Sequence, residues 1–295
     1  MSAIPITLSP RARRRRRMRR RLLRRPLAVT GGVIVLAFVL IAIFAPVIAP
    51  YSPTEEITFH GIIGAHPPSS AHLLGIDLDG HDEFSRILYG ARYSLLIGIV
   101  SVSIGLSIGI VLGSIAGYVG GLVDGAIMRV MDIMLAIPGL LFAIGIVALL
   151  TPGLKAVMIA VGVVNIPIFA RLLRGSVLSQ RENDFVLAAR SVGVPRPKIL
   201  AAHILPNAIS PVIVQGTLAM ATAIIDVAGL GFLGLGPQNP ATPEWGTMLT
   251  DVNDYLFSAP YLAIIPGVAI VVSVLGFNLI GDGLREALDP KLRGR

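Results

Sequence analysis

Cysteine is absent from the 295 residues, and charged residues are scarce. Without cysteine the chain has no disulfide, no thiolate zinc site and no cysteine nucleophile. Only 14% of the residues are charged and 54% are hydrophobic, whereas soluble domains carry about 25% charged residues. This composition argues against a single water-soluble domain and favours an integral membrane protein.

Acidic residues are missing from the N-terminal segment. Residues 1–26 hold 11 of the 25 basic residues and none of the 17 acids, so residues 27–295 carry a net charge of −3. The overall charge of +8 therefore belongs to a basic leader and not to a nucleic-acid-binding body. Arginines beside a membrane span set its orientation and contact anionic lipid. We expect the lipid bilayer as a partner, and no nucleic acid.

Long apolar runs are abundant. A helix needs about 20 apolar residues to cross a bilayer, and six stretches reach or approach that length: Leu27–Ala49, Tyr93–Ala116, Ile127–Leu150, Ala156–Leu173, Ala208–Phe232 and Tyr261–Ile280. The first is longer than the roughly 7–15-residue core of a signal peptide, so we interpret it as an uncleaved anchor. The sequence predicts an all-α integral membrane protein with six transmembrane helices.

The distribution of basic residues predicts the orientation of these helices. With the N-terminus in the cytoplasm, 22 of the 25 Lys and Arg fall on the cytoplasmic side and nine acids fall outside, as the positive-inside rule requires. Both termini are then cytoplasmic. The predicted organisation is a basic segment (1–26), a first helix (27–49), an extracytoplasmic segment (50–91), a five-helix core (92–283) whose cytoplasmic loop is 174–207, and a cytoplasmic tail (284–295).

The second span carries a small residue at every fourth position: Ser101, Gly105, Gly109, Gly113 and Gly117. Such a ladder lets another helix backbone approach closely. The spacing does not identify the partner helix. The ladder forms either a contact within the same chain, or a moving seam or a contact with a second subunit.

Three polar residues lie inside predicted spans and are candidates for the transport pathway or its gate. Asp226 falls in the outer half of the fifth span, Asn165 in the fourth and Asn278 late in the sixth. An intramembrane acid is a functional candidate, although an acid near a span end can also reach interfacial water. For the asparagines, packing is the alternative role.

The third span contains Pro138, which permits a kink. Asp124, Arg129 and Asp132 cluster at its inner end, where they can form a local ion pair at the headgroups.

The loop between the fourth and fifth spans is not membrane-like. Asn183 or Asp184 can cap a short helix through Arg190, which Gly193 can end in the left-handed conformation. A second helix, Lys198–Leu205, is expected to stop at Pro206-Asn207. The exposed apolar and small residues of the first helix fit either docking into a groove on another protein or an amphipathic segment on the inner leaflet.

Four of the five histidines lie in the outer segment, at His60, His66, His72 and His81. Their spacing shows no compact set of metal ligands, so we interpret them as solvated loop residues and predict no metal site.

The loop resembles the EAA loop of bacterial ABC importer permeases, E-A-A-x3-G-x9-I-x-L-P, in Leu187-Ala188-Ala189, Gly193 and His203-Ile204-Leu205-Pro206. Leu187 stands where the family has its acid, and Asp184 or Glu182, about one turn earlier, is the candidate replacement. The resemblance extends from about residue 15 to the end. It is carried by further motifs: His72-Leu73-Leu74-Gly75 with Asp77, Tyr89 to Leu95, Phe232 to Gly236, Trp245 to Leu249, and Gly276 to Arg285. The chain is most similar to the C-type permease of dipeptide importers.

This resemblance implies a type I ABC importer permease fold in the bacterial inner membrane. It implies a second, B-type permease, cytoplasmic ATP-binding subunits, an extracytoplasmic binding protein and a peptide substrate. The chain would bind no cofactor, because ATP and Mg²⁺ would lie on the ATPase subunits; it has no G-x4-G-K-[ST] phosphate loop of its own. It would thus be a transport subunit and not itself an enzyme. Its ATPase-coupling residues would be Asp184, Leu187, Ala188, Ala189, Gly193, His203 and Pro206.

Two alternatives remain open from the sequence. The transported ligand can be nickel or another non-peptide solute, and a proton-coupled secondary transporter is an alternative from a different class.

Overall fold

The computed structural model describes residues 25–58, 63–250, 252 and 255–288, and in these residues the regular structure is helical. The helices are α1 Pro26–Ile48, α2 Glu83–Val119, α3 Gly121–Ala136, α4 Gly139–Leu149, α5 Leu154–Arg181, α6 Asp184–Ser191, α7 Arg196–Lys198, α8 Leu205–Ala208, α9 Ser210–Leu230, α10 Trp245–Thr250 and α11 Tyr261–Leu288. Two π-helical turns, Ile199–Ile204 and Gly231–Leu235, lead into α8 and extend α9. The prediction of an all-α membrane protein is confirmed.

Five helices are long and apolar enough to cross a membrane: α1, α2, α5, α9 with its π-helical extension, and α11. Several of them are longer than their apolar runs. Helix α2 has 37 residues, or about 55 Å at 1.5 Å per residue, against about 30 Å of hydrocarbon. A hydropathy profile detects only the apolar stretch of such a helix, whereas the backbone hydrogen bonds extend the helix beyond that stretch.

The predicted third span, Ile127–Leu150, is two helices. Helices α3 and α4 meet at 96°, so the described part of the chain has six spans only if this bent pair is counted as one. Ile137 is extended (φ −92°, ψ 130°) and precedes Pro138, which lacks an N–H and disfavours helical geometry in the residue before it. The expected kink at Pro138 is therefore a sharp bend that separates two helices.

The core is built around the contact between α2 and α5. The largest apolar cluster joins these two helices to α4 and α9 and reaches the loop that follows α5. Leu173 and Val177 of α5 are fully buried in it, as is Val186 of α6. The loop helix α6 is therefore attached directly to the membrane core.

The small-residue ladder lies in the interface between α2 and α5. A Cβ at Gly105 would lie 2.8 Å from the Gly162 carbonyl oxygen, and one at Gly109 would lie 2.5 Å from Phe169 Cβ. A Cβ at Gly113 would overlap the backbone of Ala170. Gly117 faces Val177, and Ser101 is fully buried. The structure thus places the ladder in an intrachain contact.

Helix α1 packs mainly on α11 and α2. Gly31 approaches the α11 backbone so closely that a Cβ there would lie 2.7 Å from the Gly276 carbonyl oxygen. The opposite side of α1 is open, with Val33, Leu36 and Leu40 all more than two-fifths exposed. Such an apolar surface suits lipid or another subunit.

Candidate functional site

The loop helix α6 begins after Asn183. The Asn183 carbonyl accepts the Val186 N–H at 2.9 Å, and no side-chain hydrogen bond caps the helix. The expected side-chain cap at Asn183 is therefore wrong, because the Asn183 amide turns back to the Ser179 and Gln180 carbonyls. At the other end, Gly193 has φ +77° and donates its N–H to the Arg190 carbonyl at 3.0 Å, as expected for a glycine at a helix end.

The two faces of α6 differ sharply. Val186 and Ala189 are buried in the core cluster, 0% and 7% exposed. Leu187 and Ala188 point away from it, and Leu187 is 51% exposed. Of the predicted triplet, Ala189 therefore anchors the helix to its own chain, whereas Leu187 and Ala188 are available to a partner. Asp184 is exposed at the first turn.

The second half of the loop departs from the prediction. The predicted helix Lys198–Leu205 is a short helix followed by a π-helical turn, and helical structure continues through Pro206 to Ala208. The wider turn pairs the Leu205 N–H with the Leu200 carbonyl, so α8 begins at Leu205 and Pro206 occupies its second position. A proline costs no hydrogen bond there, because the first N–H groups of a helix lack intrahelical acceptors.

His203 and Pro206 lie on this second half of the loop. His203 is half-buried and its carbonyl accepts the Asn207 amide at 2.8 Å, while Pro206 is exposed. Ile199 and Ile204, fully buried, fix this half to the core.

Ion pairs connect α3 to α5, the helix that leads into the loop. Asp124 accepts two hydrogen bonds from Arg174, at 2.8 and 2.6 Å, and Asp132 pairs with Arg171. The local pairing expected among Asp124, Arg129 and Asp132 is wrong, because both acids face the arginines of the neighbouring helix. The first arm of the bent pair is thereby tied to the helix that carries α6.

The candidate pathway residues are separate features. The Asn165 amide is buried and donates to the Val161 carbonyl of its own helix at 2.8 Å. Asp226 and Asn278 are half-buried, and neither makes a side-chain hydrogen bond or ion pair within the described residues. The side chains of Asp226 and Asn278 are therefore free to contact a transported solute, whereas the Asn165 amide is hydrogen-bonded within its own helix.

A buried polar cluster before and within the start of α2 was missed. Arg86 forms an ion pair with Asp77, and His72 Nδ1 lies 2.9 Å from Asp82 Oδ1. Burial opposes ionisation of Asp77, but the hydrogen bond with His81 and the charge of Arg86 outweigh it and lower the pKa of that carboxyl.

The interpretation of the outer histidines is corrected by the same cluster. His72 and His81 are 6% and 5% exposed and so are not solvated. His66 is half-buried, and His60 lies outside the described residues. The sequence feature that indicates this cluster is the group of four acids between residues 77 and 83, because acids that are buried need compensating partners nearby. No group of three or more His, Asp or Glu in the described ranges is arranged to hold a metal ion.

A second missed element is the short helix α10. Glu244 is buried and caps it by accepting the Thr247 N–H at 3.0 Å, and it also accepts the Ser94 hydroxyl of α2 at 3.1 Å. Burial raises the pKa of Glu244 above its usual range, against the opposing effect of these hydrogen bonds. The Trp245 indole donates to the Ile87 carbonyl at 3.2 Å. Both residues fix the segment between α9 and α11 to α2.

Two protein-family models match the chain. Residues 109–294 match the binding-protein-dependent transport system inner membrane component, and residues 14–68 match the N-terminal TM domain of oligopeptide transport permease C.

Curated relatives match over most of their length. The chain is 48% identical over 267 residues to the dipeptide transport system permease protein DppC of Alkalihalophilus pseudofirmus, covering 90% of this chain and 86% of the relative. It is 47% identical to the di/tripeptide transport system permease protein DppC of Pseudomonas aeruginosa, covering 90% and 88%. It is also 47% identical to the glutathione transport system permease protein GsiD of Salmonella typhimurium, covering 91% and 88%.

The fold is shared with a solved transporter. A chain of the inward-facing MetNI methionine ABC transporter superposes with a TM-score of 0.58 at 18% identity, covering 69% of this chain and 97% of that one. At this identity the match shows that the two chains share a fold. With the family model that spans α5, the loop and α11, it leads to one conclusion: the chain belongs to the family of binding-protein-dependent transport system inner membrane components.

Proposed function

We propose that this chain is the C-type permease of a peptide importer. It would form, with a second B-type permease, the path for di- or oligopeptides delivered by an extracytoplasmic binding protein. Three relatives at 47–48% identity are named for dipeptides, di/tripeptides and glutathione, all of them peptides. In this arrangement both termini are cytoplasmic, ATP and Mg²⁺ bind to partner ATPase subunits, and this chain binds no cofactor.

The two-faced loop helix α6 carries the coupling part of the proposal. Val186 and Ala189 hold it to the core through one face, whereas Leu187 and Ala188 are exposed on the other. A rigidly anchored helix with a small exposed residue can fit closely into a groove of an ATPase and pass its displacement to α5. The amphipathic-segment alternative is less suitable, because the apolar Val186 is already covered by the protein.

Transport by the complete importer in proteoliposomes tests the function. We expect uptake of a labelled dipeptide that requires ATP, the ATPase subunits and the binding protein. Excess unlabelled dipeptide should compete, and nickel should not. Uptake on a proton gradient without ATPase would contradict the importer assignment, and uptake of nickel in place of peptide would contradict the substrate.

Cross-linking tests the docking face, because the chain has no cysteine of its own. With a cysteine placed in the groove of a cysteine-free ATPase, Ala188→Cys should cross-link and the matched Ala189→Cys should not, since Ala189 is turned into the core. Cross-linking of Ala189→Cys alone would show that the assignment of the two faces is wrong.

A further inference from the structure

An excess of negative charge surrounds the start of α2. Asp77, Asp79, Asp82 and Glu83 stand against one guanidinium, that of Arg86. Two of these four carboxylates are fully engaged. Asp77 pairs with Arg86 and accepts the N–H groups of Asp79 and His81, at 3.0 and 2.7 Å.

The second engaged carboxylate is Asp82. It lies beside His72 and accepts both the N–H and the hydroxyl of Ser85, each at 2.8 Å. Glu83 and Asp79 remain without a side-chain partner in the part of the chain that the structure describes.

Glu83 is the unusual member of this pair. Its side chain is 2% exposed, and its Oε1 is buried without a hydrogen-bond donor among the described residues. An uncompensated buried carboxylate is costly, so such a group is normally protonated, paired or bound to a ligand, and burial raises the pKa of Glu83 to about 8. Arg86 directs its Nη1 to Asp77, and its Nε is buried without a hydrogen bond among the described residues, so no hydrogen bond from Arg86 satisfies Glu83.

Two adjoining cavities open onto these acids and share Asp79 and Arg86 in their walls. The inner one, lined also by Glu83, has a volume of about 10 Å³, which is room for one water-sized group. The outer one has a volume of about 220 Å³ and is bordered by Gln238 and Asn239. A small cationic group on a longer molecule could therefore reach Glu83 while the rest of the molecule occupies the outer cavity.

We propose that Glu83 and Asp79 form a binding subsite for a primary ammonium group on the extracytoplasmic side of this permease. An ammonium group is about the size of a water molecule and offers three N–H donors and one positive charge. It would donate to Glu83 Oε1 and add a positive charge to the acidic cluster, whereas a water molecule can donate a hydrogen bond but carries no charge. A guanidinium is too large for the inner cavity. The proposal rests on the proposed function in one respect: the terminal ammonium of a peptide is one source of the group, and a lysine of the binding protein is the other.

Thermal unfolding of the intact transporter tests the subsite with methylammonium as the probe. The complex is placed in nanodiscs of phosphatidylcholine and phosphatidylglycerol, which carry no primary amine. Methylammonium chloride is compared with sodium chloride at equal ionic strength. A ligand that binds only the folded state raises the midpoint. We expect methylammonium to raise it in the wild type and in the matched control Glu56→Gln, whose carboxylate is exposed.

Glu83→Gln should raise the methylammonium concentration for a half-maximal effect by about tenfold, the loss expected for one charged hydrogen bond. Asp79→Asn should also raise the methylammonium concentration for a half-maximal effect. This variant provides the test if the Glu83 variant does not assemble, because Asp79 is exposed and its carboxylate makes no hydrogen bond or ion pair among the described residues. An equal rise with sodium chloride, or an unchanged response in the assembled Glu83→Gln or in Asp79→Asn, would overturn the subsite.

Two further arms identify the source of the ammonium. Alanyl-alanine acting like methylammonium, with no effect of N-acetyl-alanyl-alanine, supports the subsite and assigns the group to the peptide. Weaker association of the binding protein with Glu83→Gln, without a response to alanyl-alanine, supports it and assigns the group to a lysine. A methylammonium response that depends on Glu83 in a complex that does not transport peptide would leave the subsite standing and overturn only the proposed function.

Discussion

At the scale of single residues, two helix backbones approach each other closely where glycines of α2 meet α5. Gly113 has no room for a side chain, because a Cβ would overlap the backbone of Ala170, and backbone cannot move aside as a flexible side chain can. Helix association in membranes depends on such contacts because lipid tails are as apolar as the side chains. The packing of α2 on α5 should therefore require glycine at position 113, since its side chain is only a hydrogen atom.

Gly113→Ala should destabilise the folded permease by about 1–3 kcal/mol, the usual cost of overpacking. The matched control is Gly125→Ala on α3, where a Cβ would meet nothing within 4 Å; alanine there should be neutral or slightly stabilising, because it favours helix more than glycine does. Unfolding in a denaturing detergent series measures both. Equal stability of the two variants would contradict the packing role.

The sequence predicted the positions of the ladder but not its partner. Small residues at every fourth position indicate close approach of some helix, and this pattern is the same whether the helix belongs to the chain or to another subunit. Only the tertiary fold identifies Gly162 and Ala170 as the opposing residues. For the same reason, the pairing of Asp124 and Asp132 with arginines 39 or more residues away was inaccessible to local reasoning.

At the scale of elements, α3 is held to α5 by two ion pairs of different exposure. Asp124 and Arg174 are 15% and 35% exposed and share two hydrogen bonds, whereas Asp132 and Arg171 are about half exposed. Exposed pairs contribute about 0.2–1 kcal/mol, and bidentate, partly buried pairs contribute more. The Asp124–Arg174 pair is thus the main electrostatic link between the bent pair and the helix that carries α6.

Double-mutant cycles with alanine at both positions of each pair test this ranking. We expect a coupling free energy above about 1 kcal/mol for Asp124–Arg174 and below it for Asp132–Arg171, from unfolding of the four variants in each cycle. The reverse order would show that exposure and geometry do not rank these pairs.

The elements that the sequence predicted well are those with long apolar runs. Helices α1 and α11 begin within one residue of their predicted starts, Leu27 and Tyr261, because hydrophobicity and a change of composition coincide there. The bend between α3 and α4 was predicted only as a kink at Pro138. Its angle depends on the packing of Met131 against Ile166 and Ala170 of α5, which is a long-range contact.

At the scale of the whole molecule, the proposed orientation assigns the buried acidic cluster and α6 to opposite sides of the membrane. The absence of cysteine makes this directly testable. Ala71 and Ser179 are both exposed, the first before α2 and the second at the end of α5. A membrane-impermeant maleimide added to intact cells should label Ala71→Cys and not Ser179→Cys until the inner membrane is permeabilised. The opposite pattern would invert the topology.

The candidate site was partly predictable at this scale. The motif indicated the loop to which we assign coupling in the proposed function, and Gly193 has the expected left-handed conformation. Single-residue roles within the motif were not predictable, because Leu187, Ala188 and Ala189 are all apolar and only the core packing of Val186 turns Ala189 inward. The cluster of Asp77, His81 and Arg86 was missed because burial of an outer segment has no hydropathy signal.

The central claim is that an ATPase drives peptide transport through the exposed face of α6. The most direct measurement is peptide uptake and ATP hydrolysis, made together on the reconstituted importer with Ala188→Arg and with the matched Ala71→Arg on the other side of the membrane. We predict that Ala188→Arg assembles its permease pair but loses most uptake per ATP hydrolysed, because a long charged side chain blocks docking, while Ala71→Arg keeps the wild-type ratio. Wild-type uptake and hydrolysis by Ala188→Arg would contradict the claim.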